Sequence, residues 1–311
     1  MMSQLDASYR RVRLRDVSLS VAEVGEGPPL VLLHGWPQHG WMWRKLLAPL
    51  AAEYRVIAPD LRGFGRSDAP PGGYLKRTLA ADVLELLDAL GIDRARVLGH
   101  DWGGWVSWLL ALEHSDRIER FATLDITAPW PGKRSPARAL GLAAFSSYQF
   151  IVASPVTGMR ALRSRGFIHR VIRAGSGSKI EWSDEELDAY AEQFHQPGVA
   201  EASVALYRTW LTRELPQLIL GTYAPKELTV PALVIMGERS PLRRAVGMPE
   251  PRAMMRVEET PDAGHFLAEE APEEVLAEVL PFFRQRSSVP HRDGGSIIGS
   301  HPKPPYTREV D

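Results

Sequence analysis

The sequence contains no cysteine in 311 residues. That excludes disulfides, thiolate metal sites and a cysteine nucleophile, and it fits a reducing compartment. An excess of either charge is also missing, with 37 Lys and Arg against 38 Asp and Glu. Nucleic-acid and membrane-surface binders usually carry a basic excess or a basic block, so neither kind of partner is expected. Long hydrophobic runs are absent: stretches such as Leu30–Leu33 are far too short to span a bilayer. Met1 to Arg15 holds no apolar stretch, so no secretory signal is expected and a cytoplasmic location is. The nine histidines show no zinc-type spacing such as His-Glu-x-x-His, and neither a metal nor an organic cofactor is expected. What the chain does have in number is tryptophan, nine in all, and seven of them (Trp36, Trp41, Trp43, Trp102, Trp105, Trp108 and Trp130) fall in its first half.

Strand and helix patterns alternate from the N-terminal part onward. Val12 and Leu14, then Val17, Leu19 and Val21, alternate with polar residues as in half-buried strands. Leu30–Leu33 and Arg55–Ala58 read as strands buried on both faces. A helix is expected over Trp41–Ala52. Leu75, Leu79, Val83, Leu86, Leu87 and Leu90 share one helical face, with Gly91 as the stop. Ala95–Gly99 reads as a strand, Trp102–His114 as a helix and Phe121–Ile126 as a strand. Such alternation predicts an α/β fold with a mostly parallel central sheet flanked by helices.

From Pro129 to about Tyr223 the strand signal disappears. Ser183 and Glu186 form a capping box, and Leu187, Tyr190 and Phe194 share a helical face. Strands resume at Ala232–Met236 and Arg252–Val257, with helix over Phe266–Phe283. The expected organisation is therefore a first core part over 1–128, a helical insertion over 129–224 and a second core part over 225–287. The Gly-, Pro- and Ser-rich tail, 288–311, reads as disordered.

Three motifs carry chemistry. Gly99-His100-Asp101-Trp102-Gly103-Gly104 sits between a strand and a helix, the context of a nucleophile elbow. Such a turn strains its central residue and needs neighbours without a Cβ. Here that residue is Asp101, and a carboxylate attacks carbon directly with no base to deprotonate it. His34-Gly35-Trp36-Pro37 follows the Leu30–Leu33 strand, where a backbone N–H can complete an oxyanion hole. Trp36 N–H and Trp102 N–H are the expected donors. Gly264-His265-Phe266 lies late in the chain, between a strand and a helix, and makes His265 the general base.

With Asp60-Leu61-Arg62-Gly63-Phe64-Gly65-Arg66-Ser67 added, these motifs resemble the α/β-hydrolase fold family. The resemblance is to the branch with an aspartate nucleophile, which includes epoxide hydrolases, haloalkane dehalogenases and haloacetate dehalogenases. It covers about Val12 to Phe283 and implies that the insertion is a cap. One position departs from the pattern. Many relatives place the triad acid where this chain has Ser240, and a serine cannot stabilise an imidazolium as a carboxylate does. Asp125, at the end of the strand after the elbow helix, resembles the alternative arrangement and is expected to be the acid, with Glu238 as the fallback.

The cap decides the substrate. Tyr148-Gln149-Phe150 and Tyr207-Arg208 resemble the surroundings of the two tyrosines with which epoxide hydrolases of this fold hold the epoxide oxygen. Haloalkane dehalogenases resemble this chain at Trp102 but usually have Asn where it has Trp36. Haloacetate dehalogenases clamp a carboxylate with arginines where it has Trp102 and Trp105. The reading is therefore an epoxide hydrolase that opens an uncharged epoxide to a vicinal diol with water, ahead of a haloalkane and then a haloacetate dehalogenase. Trp36, Trp102, Trp105 and Phe150 are expected to line an aromatic pocket. A non-catalytic binding protein of the same fold is the remaining alternative, disfavoured because every catalytic position holds a competent residue. A homodimer is left open.

Overall fold

The computed structural model describes residues 8–130, 147–222 and 227–285. The expected tail, 288–311, lies outside the described residues, as do 131–146 and 223–226. Eight strands form one sheet: β1 (Ser8–Arg13), β2 (Ser18–Val24), β3 (Pro29–Leu33), β4 (Arg55–Pro59), β5 (Ala95–His100), β6 (Ile118–Leu124), β7 (Ala232–Gly237) and β8 (Met255–Thr260). Their order is β1-β2-β4-β3-β5-β6-β7-β8. The β1–β2 and β2–β4 pairs are antiparallel and the others parallel. Leu30 to Leu33 are wholly buried, as are Val97 and Leu98 beside them. This is why the central strands read as continuous apolar runs rather than alternating ones.

Helices α1 (Arg44–Ala51), α2 (Lys76–Ala89) and α3 (Trp102–Glu113) connect the first strands. Gly91, at φ 67°, ends α2 as its pattern predicts. Three boundaries differ from expectation. The first helix opens with a 3₁₀ turn over Gly40–Trp43. Strand β8 begins at Met255 because Arg252 and Met255 bond to each other across a tight turn. The last helix is two, α11 (Leu267–Glu270) and α12 (Pro272–Arg284). Pro272 has no N–H to continue α11 but is well suited to start α12.

Between β6 and β7 the described residues form α4 (Ser147–Val152), α5 (Thr157–Leu162), α6 (Arg165–Gly175), α7 (Asp184–Ala191), α8 (Val199–Thr209) and α9 (Leu215–Ile219). Ser183 caps α7 through the expected box with Glu186. A π-helical turn, Trp210–Glu214, joins α8 to α9. Helix α10 (Pro241–Val246) follows β7. The inserted helices rest on the loops at the C-terminal ends of the strands. Gln193 Nε2 donates to Pro37 O at 2.7 Å, and Gly65 N donates to Gln193 Oε1 at 3.0 Å.

Strand order places the site. After β3 the chain turns to β4 on one side, and after β5 to β6 on the other. The loops leaving β3 and β5 diverge, and a crevice opens between them at the C-terminal edge. Leu33 pairs with Gly99 in register, so His34-Gly35-Trp36 faces His100-Asp101 across that crevice.

Candidate active site

Asp101 occupies the sharp turn between β5 and α3 with φ 49° and ψ −120°, a conformation costly for a residue with a Cβ. Its neighbours allow it. A Cβ on Gly103 would strike the Leu33 carbonyl, and one on Gly99 would strike Ser107 Oγ and the Gly103 carbonyl. A Cβ on Gly35 would strike the Asp101 side chain itself. Trp36 N donates to Asp101 Oδ2 at 3.0 Å, and Trp102 N–H also donates to the carboxylate. Burial pushes the Asp101 carboxyl up from its ordinary value, opposed by His265 and these two N–H groups.

His34 shapes the loop that carries Trp36. It is wholly buried, accepts Leu61 N at Nε2 (2.9 Å) and contacts Gly35 O through Nδ1 (3.2 Å). That pair of contacts requires the neutral ring with its proton on Nδ1. Burial lowers its pKa to about 4.

His265 Nε2 lies 3.8 Å from Asp101 Oδ1, and its Nδ1 lies 2.6 Å from Asp125 Oδ2. Asp125 is wholly buried at the end of β6, at φ 47°. Gly237 N donates to its Oδ1 at 3.2 Å and Ser240 Oγ to its Oδ2 at 2.6 Å. Burial works against a charged His265, but the bond and charge of Asp125 and the charge of Asp101 outweigh it and raise its pKa. The His265 loop is held from three sides. Glu270 accepts the N–H groups of Gly264, Phe266 and Gly177 at 2.7–2.9 Å. His265 N donates to Gly175 O at 2.8 Å. The buried His100 ring, its pKa driven well down by burial, bonds His265 O through Nε2 at 2.9 Å.

Tyr148 from α4 and Tyr207 from α8 meet above the crevice, their hydroxyls 3.2 Å apart. Tyr148 stacks on the Trp36 ring at 5.5 Å between centroids, and Tyr207 meets it edge-on at 5.2 Å. Burial, joined by the charge of Asp101, raises both phenol pKa values, so both are protonated donors near neutral pH. A cavity of about 350 Å³ opens beside them, lined by Trp36, Tyr148, Phe167, Val171, His265 and Phe266 among others.

The sequence-expected residues Asp101, His265, Asp125, Tyr148, Tyr207, Trp36 and Trp102 are thus brought together. Phe150 is not. It is 63% exposed on the opposite side of α4 from Tyr148, because two residues on a helix turn the side chain by about 200°. Trp105 is buried behind Trp102 against Trp210, at 5.2 Å, and does not line the cavity. The Trp102 ring does not line it either, so Trp36 is the one expected pocket tryptophan that does. Glu238 is exposed and accepts Asp262 N at 2.9 Å, away from His265. Ser240, where the sequence lacks a carboxylate, instead bonds Asp125, the expected acid. It also missed Glu270, whose place five residues after His265, in the first turn of the following helix, was its only signal.

Residues 28–272 match the model of the alpha/beta hydrolase fold family. The chain is 31% identical over 290 residues to a soluble epoxide hydrolase of a Corynebacterium species, covering 89% of this chain and 98% of that protein. It is 32% identical over 266 residues to haloalkane dehalogenase 2 of Mycobacterium tuberculosis, covering 83% and 89%. Among solved structures it is similar to that of the epoxide hydrolase CorEH without ligand. The TM-score is 0.78 with 30% identity, over 89% of this chain and 99% of the other.

Proposed function

Because the chain belongs to the alpha/beta hydrolase fold family and is a hydrolase, we propose that it opens an apolar epoxide to a vicinal diol through an ester on Asp101. One observation carries this reading. Two protonated phenols stand 3.2 Å apart, both within the field of the Asp101 carboxylate, a pair of donors for one developing alkoxide. The similarity to epoxide hydrolases supports it.

Asp101 Oδ2 is occupied by Trp36 N–H, while Oδ1 faces His265. Oδ1 is the oxygen free to attack. Its lone pair forms a bond to one epoxide carbon as that carbon's bond to oxygen breaks. Tyr148 and Tyr207 hold the oxygen, and one of them gives it a proton. In the second step His265 takes a proton from water, and the hydroxide adds to the Asp101 carbonyl carbon. The developing oxyanion sits at the Oδ2 position, held by the N–H groups of Trp36 and Trp102. The tetrahedral intermediate collapses and expels the diol alkoxide, and the proton of the added hydroxyl passes to the tyrosinate left by the first step, which restores both the Asp101 carboxylate and the phenol. The imidazolium, held by Asp125, returns the proton to the leaving oxygen. In this scheme the inserted helices act as a cap that carries the two proton-donating tyrosines and closes the site.

Replacing His265 with Gln tests the scheme. With an epoxide present, the Asp101 peptide should gain the mass of the intact epoxide. An unmodified Asp101 would overturn covalent catalysis.

A second reading, haloalkane dehalogenation, is favoured by one observation. The indole N–H of Trp36 is buried without a hydrogen-bond partner among the described residues, and on the cavity wall it is a donor that a departing halide could take. In that case the H265Q variant forms an adduct only with haloalkanes, equal to the alkyl group without its halogen.

A further inference from the structure

Helix α6 carries four basic side chains with unequal company. Arg165 pairs with Asp188 and Glu192, His169 with Asp188 at 2.9 Å and Arg173 with Asp184 at 2.8 Å. All three turn toward carboxylates of α7 and the turn after it. Arg170 is exposed and has no hydrogen bond or ion pair among the described residues. It belongs instead to the face of α6 that lines the cavity, together with Phe167, Val171, Ala174 and Gly175. Those residues fall at the helical spacing of a single stripe. The stripe is apolar except for Arg170.

We propose that Arg170 is a specificity-determining residue, and that the preferred substrate is an epoxide on an apolar body whose far end bears a carboxylate. The proposal rests on the epoxide reading for its reacting group, and it amends the sequence expectation of a wholly uncharged substrate. An unpaired guanidinium beside apolar walls focuses its field on whatever enters, and its planar fork matches a carboxylate in two hydrogen bonds. A single negative charge is favoured over a phosphate dianion. Among the described residues the cavity lining holds one unpaired cation, whereas the Asp101 carboxylate, 3.8 Å from the lining His265, repels anions at that end. The same repulsion orients the ligand. The charged end stays with Arg170, the apolar body lies along Phe167, Val171 and Trp36, and the neutral epoxide reaches Asp101. Arg170 thereby fixes the direction of entry and, through it, which epoxide carbon meets Oδ1.

The test compares a terminal-epoxide fatty acid with its methyl ester, in the wild-type protein and in R170Q and R170E. Wild-type kcat/KM should favour the acid by about tenfold, the effect of one charge-assisted contact. The preference should lie in KM rather than kcat and shrink at high salt. R170Q should remove it and R170E reverse it. An acid-to-ester ratio equal in wild type and R170Q overturns the proposal. A second measurement needs no turnover. Decanoate and methyl decanoate are titrated against the tryptophan fluorescence of both proteins. Tighter binding of decanoate to the wild type alone supports the role of Arg170, and equal behaviour of the two proteins refutes it. Should neither epoxide be hydrolysed while this binding difference persists, the epoxide reading fails and the anion contact stands.

Discussion

Ser240 Oγ and His265 Nδ1 meet the same oxygen, Oδ2 of Asp125, each at 2.6 Å. The serine therefore shares the proposed acid with the proposed base. A donor on a carboxylate stabilises its charge and makes it a weaker partner for an imidazolium. Ser240 also accepts Leu242 N and Arg243 N at 3.1 and 3.2 Å, capping α10.

Removing the hydroxyl in S240A should strengthen the Asp125–His265 bond and raise the His265 pKa further. His265 must be neutral to activate water, so activity is lost as pH falls through that pKa. The acid limb of kcat should then move to higher pH in S240A, and stability should fall by about 1 kcal/mol from the lost cap. In D125N the raising influence is gone and the ring is no longer held in its working tautomer. Turnover should drop by on the order of 10⁴ while the alkyl-enzyme accumulates, as seen by mass spectrometry of the stopped reaction.

The tyrosines differ from that pair in acting on the first step. Y148F and Y207F each leave one phenol on the oxygen, and the double variant leaves none. Ring opening should fall modestly in each single variant and by about 10²–10⁴-fold in the double. Single-turnover kinetics of ester formation checks this. Because burial raises both phenol pKa values, no alkaline loss of activity is expected near the ordinary phenol value of about 10.

Acid stability should be set in part by His34. Its folded pKa of about 4 lies below the ordinary histidine value of 6.5. Between those values the unfolded chain binds a proton that the folded chain does not, so stability falls as pH drops through that window. The size is roughly 3 kcal/mol at full extent. H34Q should flatten that slope in thermal melts across the window, even if it lowers stability at neutral pH.

Lys76 and Glu214 tie α2 to the π-helical turn. Both are buried, with Nζ and Oε2 2.7 Å apart, and Glu214 also accepts Lys76 N at 2.7 Å. The ammonium lies 4.2 Å from the centre of the Trp102 ring. K76M strands a buried carboxylate and should cost about 3–5 kcal/mol. K76M/E214Q, which keeps an acceptor for the backbone N–H at position 76, should recover much of that loss in denaturant titrations.

The arrangement of the proposed floor is legible in the sequence because its signals are local. The elbow glycines, the His34-Gly35-Trp36-Pro37 turn and the strand before each lie within a few residues, and the Leu33–Gly99 register then brings them together. Asp125 stands out by position as the proposed acid, but its partner does not. Ser240 reaches Asp125 only because β6 and β7 are neighbours, and no pattern in either strand announces a side-chain bond between their ends. The roof was read in part. Tyr148 and Phe150 are two residues apart on a six-residue helix, too short for a periodicity to say which side faces in. Trp105 shares a helix with Trp102, and spacing along that helix does not say which ring faces a cavity. The Trp210 ring packs against both and closes that side.

Trp36 serves floor and roof with different parts of itself. Its main chain grips the nucleophile, and its indole is the surface on which both phenols rest. A change of side chain at this one position can thus retune the ceiling, its height and the angle of its two donors, while the anion hole beneath keeps its N–H. In this architecture new substrate preference can arise at position 36 without rebuilding the chemistry under it.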